Sequence, residues 1–119
     1  MYDKNNIFAK IIRGEIPTKK IYENEYALAF HDVSPVYEHH ILVLPKHPSK
    51  DILDFMTNAS TAEQAGFWEV VNKVVASENF PSAYKAIANT GAPYQSVLHF
   101  HLHLVGGKKI KNPENSAAV

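Results

Sequence analysis

Three histidines alternate near the C-terminal end of this 119-residue chain, in Ser96-Val97-Leu98-His99-Phe100-His101-Leu102-His103. In a strand, alternate side chains share a face. His99, His101 and His103 then project to one side, spaced roughly 6.5–7 Å apart by strand rise. Phe100, Leu102 and Leu104 point the other way. A slip of one residue would bury three imidazoles and expose three large apolar groups, so burial fixes the register. Two chemistries suit the cluster. A His-x-His pair can chelate zinc, and three histidines leave a coordination position open. No cysteine exists in the chain, however, and no carboxylate flanks the cluster; Asp32 is remote in sequence. The second chemistry is nucleophilic attack on phosphorus. A phosphate ester or amidate is anionic and repels anionic nucleophiles, whereas an unprotonated imidazole attacks without that repulsion. Neighbouring imidazoles, protonated, would supply positive charge and hydrogen bonds to phosphoryl oxygens. A leaving group still needs a proton donor, and Ser96 stands at the loop end of the segment.

The elements that position these residues are legible in outline. Asn5 or Asn6 caps a first helix, with Ile7, Phe8, Ile11 and Ile12 on one face, Gly14 closing it and Pro17 preventing continuation. Residues 20–23 and 26–31 read as a hairpin around Asn24-Glu25. Its second strand sets Tyr26, Leu28, Phe30 and Asp32 on one side, so a carboxylate ends an apolar row. Residues 40–44 form a third strand, apolar on both sides and so interior to a sheet, and residues 51–57 a short helical turn. Ser60 and Glu63 form a capping box. The helix that follows carries Ala65, Phe67, Trp68, Val70, Val71, Val74 and Val75, a stripe broad enough to bury two faces. The second face meets another subunit or, alternatively, lies deep between the sheet and the first helix. Residues 84–88 and 97–105 complete five strands, joined by the turn-rich loop from Asn89 to Gln95. Hairpin-compatible order with segregated helices specifies an α+β fold around a five-stranded antiparallel sheet, with a long helix and a short N-terminal one.

Composition narrows the function classes. One domain fits in 13.3 kDa. Twelve basic residues balance twelve acidic ones, which disfavours tracking a nucleic-acid backbone. The apolar runs are too short to span a bilayer, the first six residues are polar, and no cysteine suggests a disulfide scaffold. A soluble cytoplasmic protein, with no nucleic acid or membrane as partner, is the expectation.

The segment His99-Phe100-His101-Leu102-His103-Leu104-Val105 resembles the motif of the histidine triad family. So do Gln95-Ser96-Val97 before it and Gly106-Gly107 after it. The resemblance extends in order through residues 7–17, 29–35 and 40–46, and covers residues 5–110 as one domain, with residues 111–119 a tail that frays or docks on a partner. The branch is the Hint-like one. What this resemblance implies is a homodimer with its sheet continued across the interface, and hydrolysis of the P–N bond of purine nucleoside 5′-phosphoramidates (AMP or GMP derivatives) without a cofactor or metal. His101 would attack the α-phosphorus and carry a nucleotidyl intermediate; His103 would contact the phosphate. His99 would sit behind, tying the loop and His40, the fourth histidine, into the site. Asp32 would bind the ribose hydroxyls beside Val33, Phe8, Ile11 and Phe30 would wall the base, and Asn89 and Ser96 would lie near the phosphate and leaving group. Dinucleoside polyphosphate hydrolysis, as in the more distant branch, and nucleotide binding without turnover are the alternatives. Departures are a loop at residues 89–95 that looks one residue short, with Ala92-Pro93-Tyr94 in place of a glycine-rich stretch, and a tail lacking the aromatic that some Hint proteins place there.

Overall fold

The structure, a computed structural model, describes residues 1–111. The tail expected over residues 111–119 lies, but for its first residue, outside the described residues. In chain order the elements are α1 (Ile7–Ile12), β1 (Lys20–Glu23), β2 (Ala27–His31), β3 (Tyr37–Pro45), α2 (Ile52–Asn58), α3 (Thr61–Val75), β4 (Tyr84–Ile87) and β5 (Leu102–Lys109). The strands form one antiparallel sheet in the order β1-β2-β3-β5-β4. Five antiparallel strands with segregated helices are the α+β fold anticipated. No helix among the described residues is long and apolar enough to cross a membrane.

Local chemistry sets the helix ends. The Asn6 side chain accepts from Ala9 N at 2.9 Å and caps α1. Gly14, at φ +79°, makes the left-handed exit that a β-carbon would resist. Ser60 and Glu63 close the capping box reciprocally, Glu63 N to Ser60 Oγ at 3.1 Å and Ser60 N to Glu63 Oε1 at 2.8 Å.

Alternation then sorts the sheet residues onto two faces. Phe55 of α2 and Phe67, Val70 and Val74 of α3 pack with Ala29, Val43, Phe100, Leu102 and Leu104. On the opposite face Phe8 and Ile11 of α1 pack with Leu28, Phe30, Leu42 and Leu44. The broad stripe of α3 resolves into a buried row and a second row in which Val71 and Val75 are half-buried and Trp68 is half exposed.

Two expectations need correction. Tyr26 does not extend the Leu28–Phe30 row. It turns to the other face, where its ring lies against Gly66 of α3 so closely that a β-carbon there would stand 2.4 Å from it. The Asn24 side chain dictates this by accepting from Tyr26 N and Ala27 N, each at 2.8 Å, and donating to Gly66 O at 2.9 Å. The last strand also begins at Leu102 rather than Val97 and runs on to Lys109. Residues ahead of it bond outside the ladder: Phe100 N donates to Ser49 O at 2.8 Å.

Candidate active site

His103 lies in β5 and His101 just before it, on the face that α1 covers. Their ring centroids are 5.0 Å apart, and Phe8 of α1 meets His101 edge-on at 4.8 Å. Phe100, Leu102 and Leu104 are buried on the α3 side. The alternation read from sequence therefore survives although His99 and His101 precede the strand. That pre-strand segment is held by an irregular cradle, residues 45–50. Pro45 O accepts from the His99 ring, Ser49 O from Phe100 N, and Lys50 O from the Gln95 side chain at 2.6 Å. Gln95 also donates to Val97 O and accepts from Gly91 N, which ties both ends of the loop together.

Main-chain groups decide where each imidazole keeps its proton. The Val36 N–H donates to His40 Nδ1 at 2.9 Å. A ring nitrogen that accepts carries no hydrogen, so the His40 proton is on Nε2. That Nε2–H faces His103 Nδ1 at 3.0 Å and Asp32 Oδ2 at 3.3 Å. His103 thus accepts at Nδ1 and carries its own proton on Nε2. His101 Nδ1–H donates to the His99 carbonyl oxygen at 2.8 Å, which puts its lone pair on Nε2. His99 Nε2–H donates to Pro45 O at 2.8 Å, and its Nδ1 accepts from the Tyr2 hydroxyl at 2.5 Å. One ring is left with a lone pair, and its neighbour with an N–H.

Burial fixes the charge of these rings. His99 is fully buried, and desolvation lowers its pKa to about 4, against the opposing pull of the Pro45 carbonyl. His103 falls to about 3 through burial first and then through repulsion from His101 and His40. Burial also lowers His101 and His40, partly opposed by Asp32 at both. All four are neutral near pH 7. The positive charge expected from protonated neighbours is therefore absent, because removing an imidazolium from water costs more than the Asp32 carboxylate returns. The neighbours offer N–H donors instead.

Asp32 Oδ1 accepts from Ser34 N at 2.7 Å, so this carboxylate both caps the turn before Pro35 and faces His40. Beside it opens a cleft of about 720 Å³ lined by Pro17, Thr18, Lys19, His31, Asp32 and Val33. Val33 is almost wholly exposed on it. Phe8, Ile11 and Phe30 are packed together in the core under α1, each buried, and are not among the residues that line this cleft. Asn89 is half-buried two residues after β4, and Ser96 is exposed beside Asp3, Asn6, Ile7, Val97 and Leu98. His99, expected to tie His40 into the site, instead bonds Pro45 and Tyr2; it is His103 that meets His40. Sequence reasoning missed Tyr2, the Val36 N–H and the Pro45 carbonyl. The last two are backbone groups without a side-chain signature, and Tyr2 stands in an otherwise polar leader.

Asp32, His40 and His103 bring candidate ligand atoms within 4.8 Å of one another. They do not fit a metal ion. A cation at His40 Nε2 would need that nitrogen's lone pair, driving the ring proton to Nδ1, where it would oppose the Val36 N–H donor.

The chain is similar to known proteins over most of its length. Residues 13–110 match the HIT domain family. An uncharacterized 13.2 kDa HIT-like protein of Azospirillum brasilense is 43% identical over 111 residues, 92% of this chain and 91% of its own length. Among solved structures, a histidine triad protein from Clostridium difficile superposes with a TM-score of 0.76 at 36% identity, covering 96% of this chain and all of that one. A HIT family hydrolase from Legionella pneumophila gives 0.74 at 30%, over 94% and 99% of the two chains. A histidine triad nucleotide-binding protein from Candida albicans gives 0.73 at 32%, over 88% and 76%.

Proposed function

The chain belongs to the HIT domain family, and on that footing we propose that it is a nucleotide-binding hydrolase that cleaves purine nucleoside 5′-phosphoramidates through a nucleotidyl intermediate on His101. The single observation that carries the reading is the proton arrangement of the two facing rings: His101 holds its lone pair on Nε2 because Nδ1–H is engaged by the His99 carbonyl. A neutral, nucleophilic nitrogen is thereby ready beside a second ring, His103, whose Nε2–H can donate to a phosphoryl oxygen.

In the first step His101 Nε2 forms a bond to phosphorus and the P–N bond breaks. The departing nitrogen takes up a proton, relayed from water by the exposed Ser96 hydroxyl. Water then attacks phosphorus and passes a proton back to solvent through the Ser96 hydroxyl, restoring the one the amine took; the Nε2–P bond breaks with its electron pair returning to the ring, and nucleoside monophosphate leaves. Asp32, at the mouth of the cleft, accepts hydrogen bonds from the ribose hydroxyls beside Val33. Phe8, Ile11 and Phe30 back the base, and Asn89 lies on the phosphate side. We further propose that two copies pair through the exposed edge of β4 and the Trp68–Val75 face of α3, which would continue the sheet and cover the half-exposed tryptophan.

Intact mass spectrometry tests the chemistry. Incubation with adenosine 5′-phosphoramidate and rapid neutral quenching should reveal a one-nucleotide adduct mapping to His101. His101→Gly should abolish turnover while nucleoside monophosphate still binds. Turnover that survives in His101→Gly would refute the assignment, and cleavage of a dinucleoside polyphosphate in preference to the phosphoramidate would overturn the substrate class.

A further inference from the structure

The first six residues carry a contact that no part of the proposed reaction uses. Tyr2 places its hydroxyl 2.5 Å from His99 Nδ1 and its ring edge-on to the same imidazole, with centroids 5.6 Å apart. The segment is moored rather than draped. The Arg13 guanidinium donates to Lys4 O at 2.7 Å, and the Asn6 side chain donates to Asp3 O at 2.7 Å while capping α1. Arg13 is itself gripped by Glu15.

The partner of this contact matters. His99 is fully buried, and its two ring nitrogens have two different tasks. Nε2–H donates to Pro45 O, which joins the imidazole to the cradle. Nδ1 must then accept, and the Tyr2 O–H is the donor it meets. Burial raises the Tyr2 pKa, so the phenol keeps the proton it donates. The carbonyl of the same residue, His99, is what accepts from His101 Nδ1 and leaves Nε2 as the attacking atom. Pro45 O can only accept, so it sets this tautomer by itself; the Tyr2 O–H adds a partner for the buried Nδ1, without which the ring, and the peptide carrying that carbonyl, would shift.

We infer that Tyr2 is a positioning residue for His101, acting through His99: its hydroxyl pairs the buried Nδ1 and locks the His99 ring in the position that fixes the carbonyl holding the attacking imidazole. This rests on the reading of His101 as nucleophile, yet the lock itself can be observed without turnover.

The test is Tyr2→Phe in the full chain, with Arg13→Met as a second variant that frees the moored segment and leaves Tyr2 intact. Two readouts are used: steady-state hydrolysis of adenosine 5′-phosphoramidate, and ring nitrogen NMR of His99. Wild type should show one His99 tautomer, protonated at Nε2. Tyr2→Phe should keep that tautomer but shift the unprotonated Nδ1 resonance as its hydrogen bond is lost, and lower kcat on the order of tenfold, as misplacement of a reacting group does, with KM changed less than about twofold. Arg13→Met should move both readouts in the same direction, and the double variant should be no worse than Tyr2→Phe, because both act through one contact. A kcat unchanged in Tyr2→Phe overturns the inference, whatever the spectrum. So does a His99 Nδ1 resonance that does not shift. Loss confined to KM also overturns it. Should wild type turn over no phosphoramidate at all, the hydrolase reading fails by itself; a shifted His99 Nδ1 resonance in Tyr2→Phe then still upholds the lock, and an unshifted one overturns it.

Discussion

Acidification should destabilise this fold well before its carboxylates titrate. In the unfolded chain a histidine titrates near pH 6.5, whereas His99 and His103 in the folded protein resist protonation down to about 4 and about 3. Above pH 6.5 both states hold these rings neutral, and the two histidines add no pH dependence. As pH falls below 6.5 the unfolded chain binds protons that the folded one refuses, so stability declines with pH until the folded pKa values are passed. Each such histidine contributes a slope of about 1.4 kcal/mol per pH unit in that window. From pH 6.5 to pH 5 the two together remove about 3 kcal/mol, a large share of the roughly 5–15 kcal/mol typical of a domain. His101 and His40, also lowered by burial, steepen the fall. The assay is urea unfolding at half-unit intervals from pH 7.5 to pH 5, with the slope against pH reporting protons taken up on unfolding. At least two protons per chain are expected near pH 5.5. His103→Asn should reduce that uptake by about one, even though the variant is less stable at pH 7.5. A stability flat across this range, with a constant urea dependence, would show that the imidazoles accept protons in the folded state and that the tautomer assignments are wrong.

Further outcomes follow from single contacts. The acid limb of kcat/KM should fall below pH 6.5, since burial lowers the pKa of His101; a midpoint at or above 6.5, measured where the protein is still folded, contradicts that. His40→Asn removes the N–H that holds His103 Nδ1. It should lower kcat on the order of 10- to 100-fold, the loss typical of removing the partner that orients a working histidine, while calorimetry finds nucleoside monophosphate affinity little changed. Gly66→Ala drives a β-carbon into the Tyr26 ring and should cost about 1–3 kcal/mol of stability by overpacking, without loss of kcat. Tyr26→Ser in the same chain should recover most of it, and thermal denaturation reads both. Chelators should leave turnover intact, and zinc titrated by calorimetry should find no site that disappears in His40→Asn.

Sequence carried the fold because its signals are local. Ser60 and Glu63 announce a helix start within four residues, Asn6 another, and the apolar partners of the histidines reveal which side of the last strand is buried. What escaped is non-local. Nothing in residues 97–101 says that Phe100 N will bond Ser49 O instead of a strand neighbour, so the alternating pattern extends five residues ahead of the true start of the strand. Tyr26 follows the pleat on paper but obeys the Asn24 side chain, which ends the hairpin and pins it to α3. Tyr2 and His99 are 97 residues apart, and His40 and His103 are 63 apart. Pairing of that kind depends on how layers close, and a residue's type does not encode it. The neutral state of the rings is likewise a product of burial, at His99 and His101 partly under Phe8 of α1, which the alternation alone does not reveal.

The early end of the ladder has a chemical consequence. Had β5 begun at Val97, the His99 carbonyl would have been committed to a strand position, and His101 would have lost the acceptor that orients it. By leaving the ladder before Leu102, the chain frees that carbonyl for the ring two residues on. The cost is that residues 95–101 need other partners, and the carbonyls of Pro45, Ser49 and Lys50 provide them. The rigidity of the reacting imidazole then depends on a cradle distant in sequence. Substitutions that disturb residues 45–50 should therefore slow the reaction without touching a histidine. Ser49, fully buried and bonded through its hydroxyl to His47 Nδ1 at 2.6 Å, is the place to look. Ser49→Ala leaves that ring nitrogen without its hydrogen-bond partner and should lower kcat more than it raises KM, whereas an equal effect on both would place the cradle outside the chemistry.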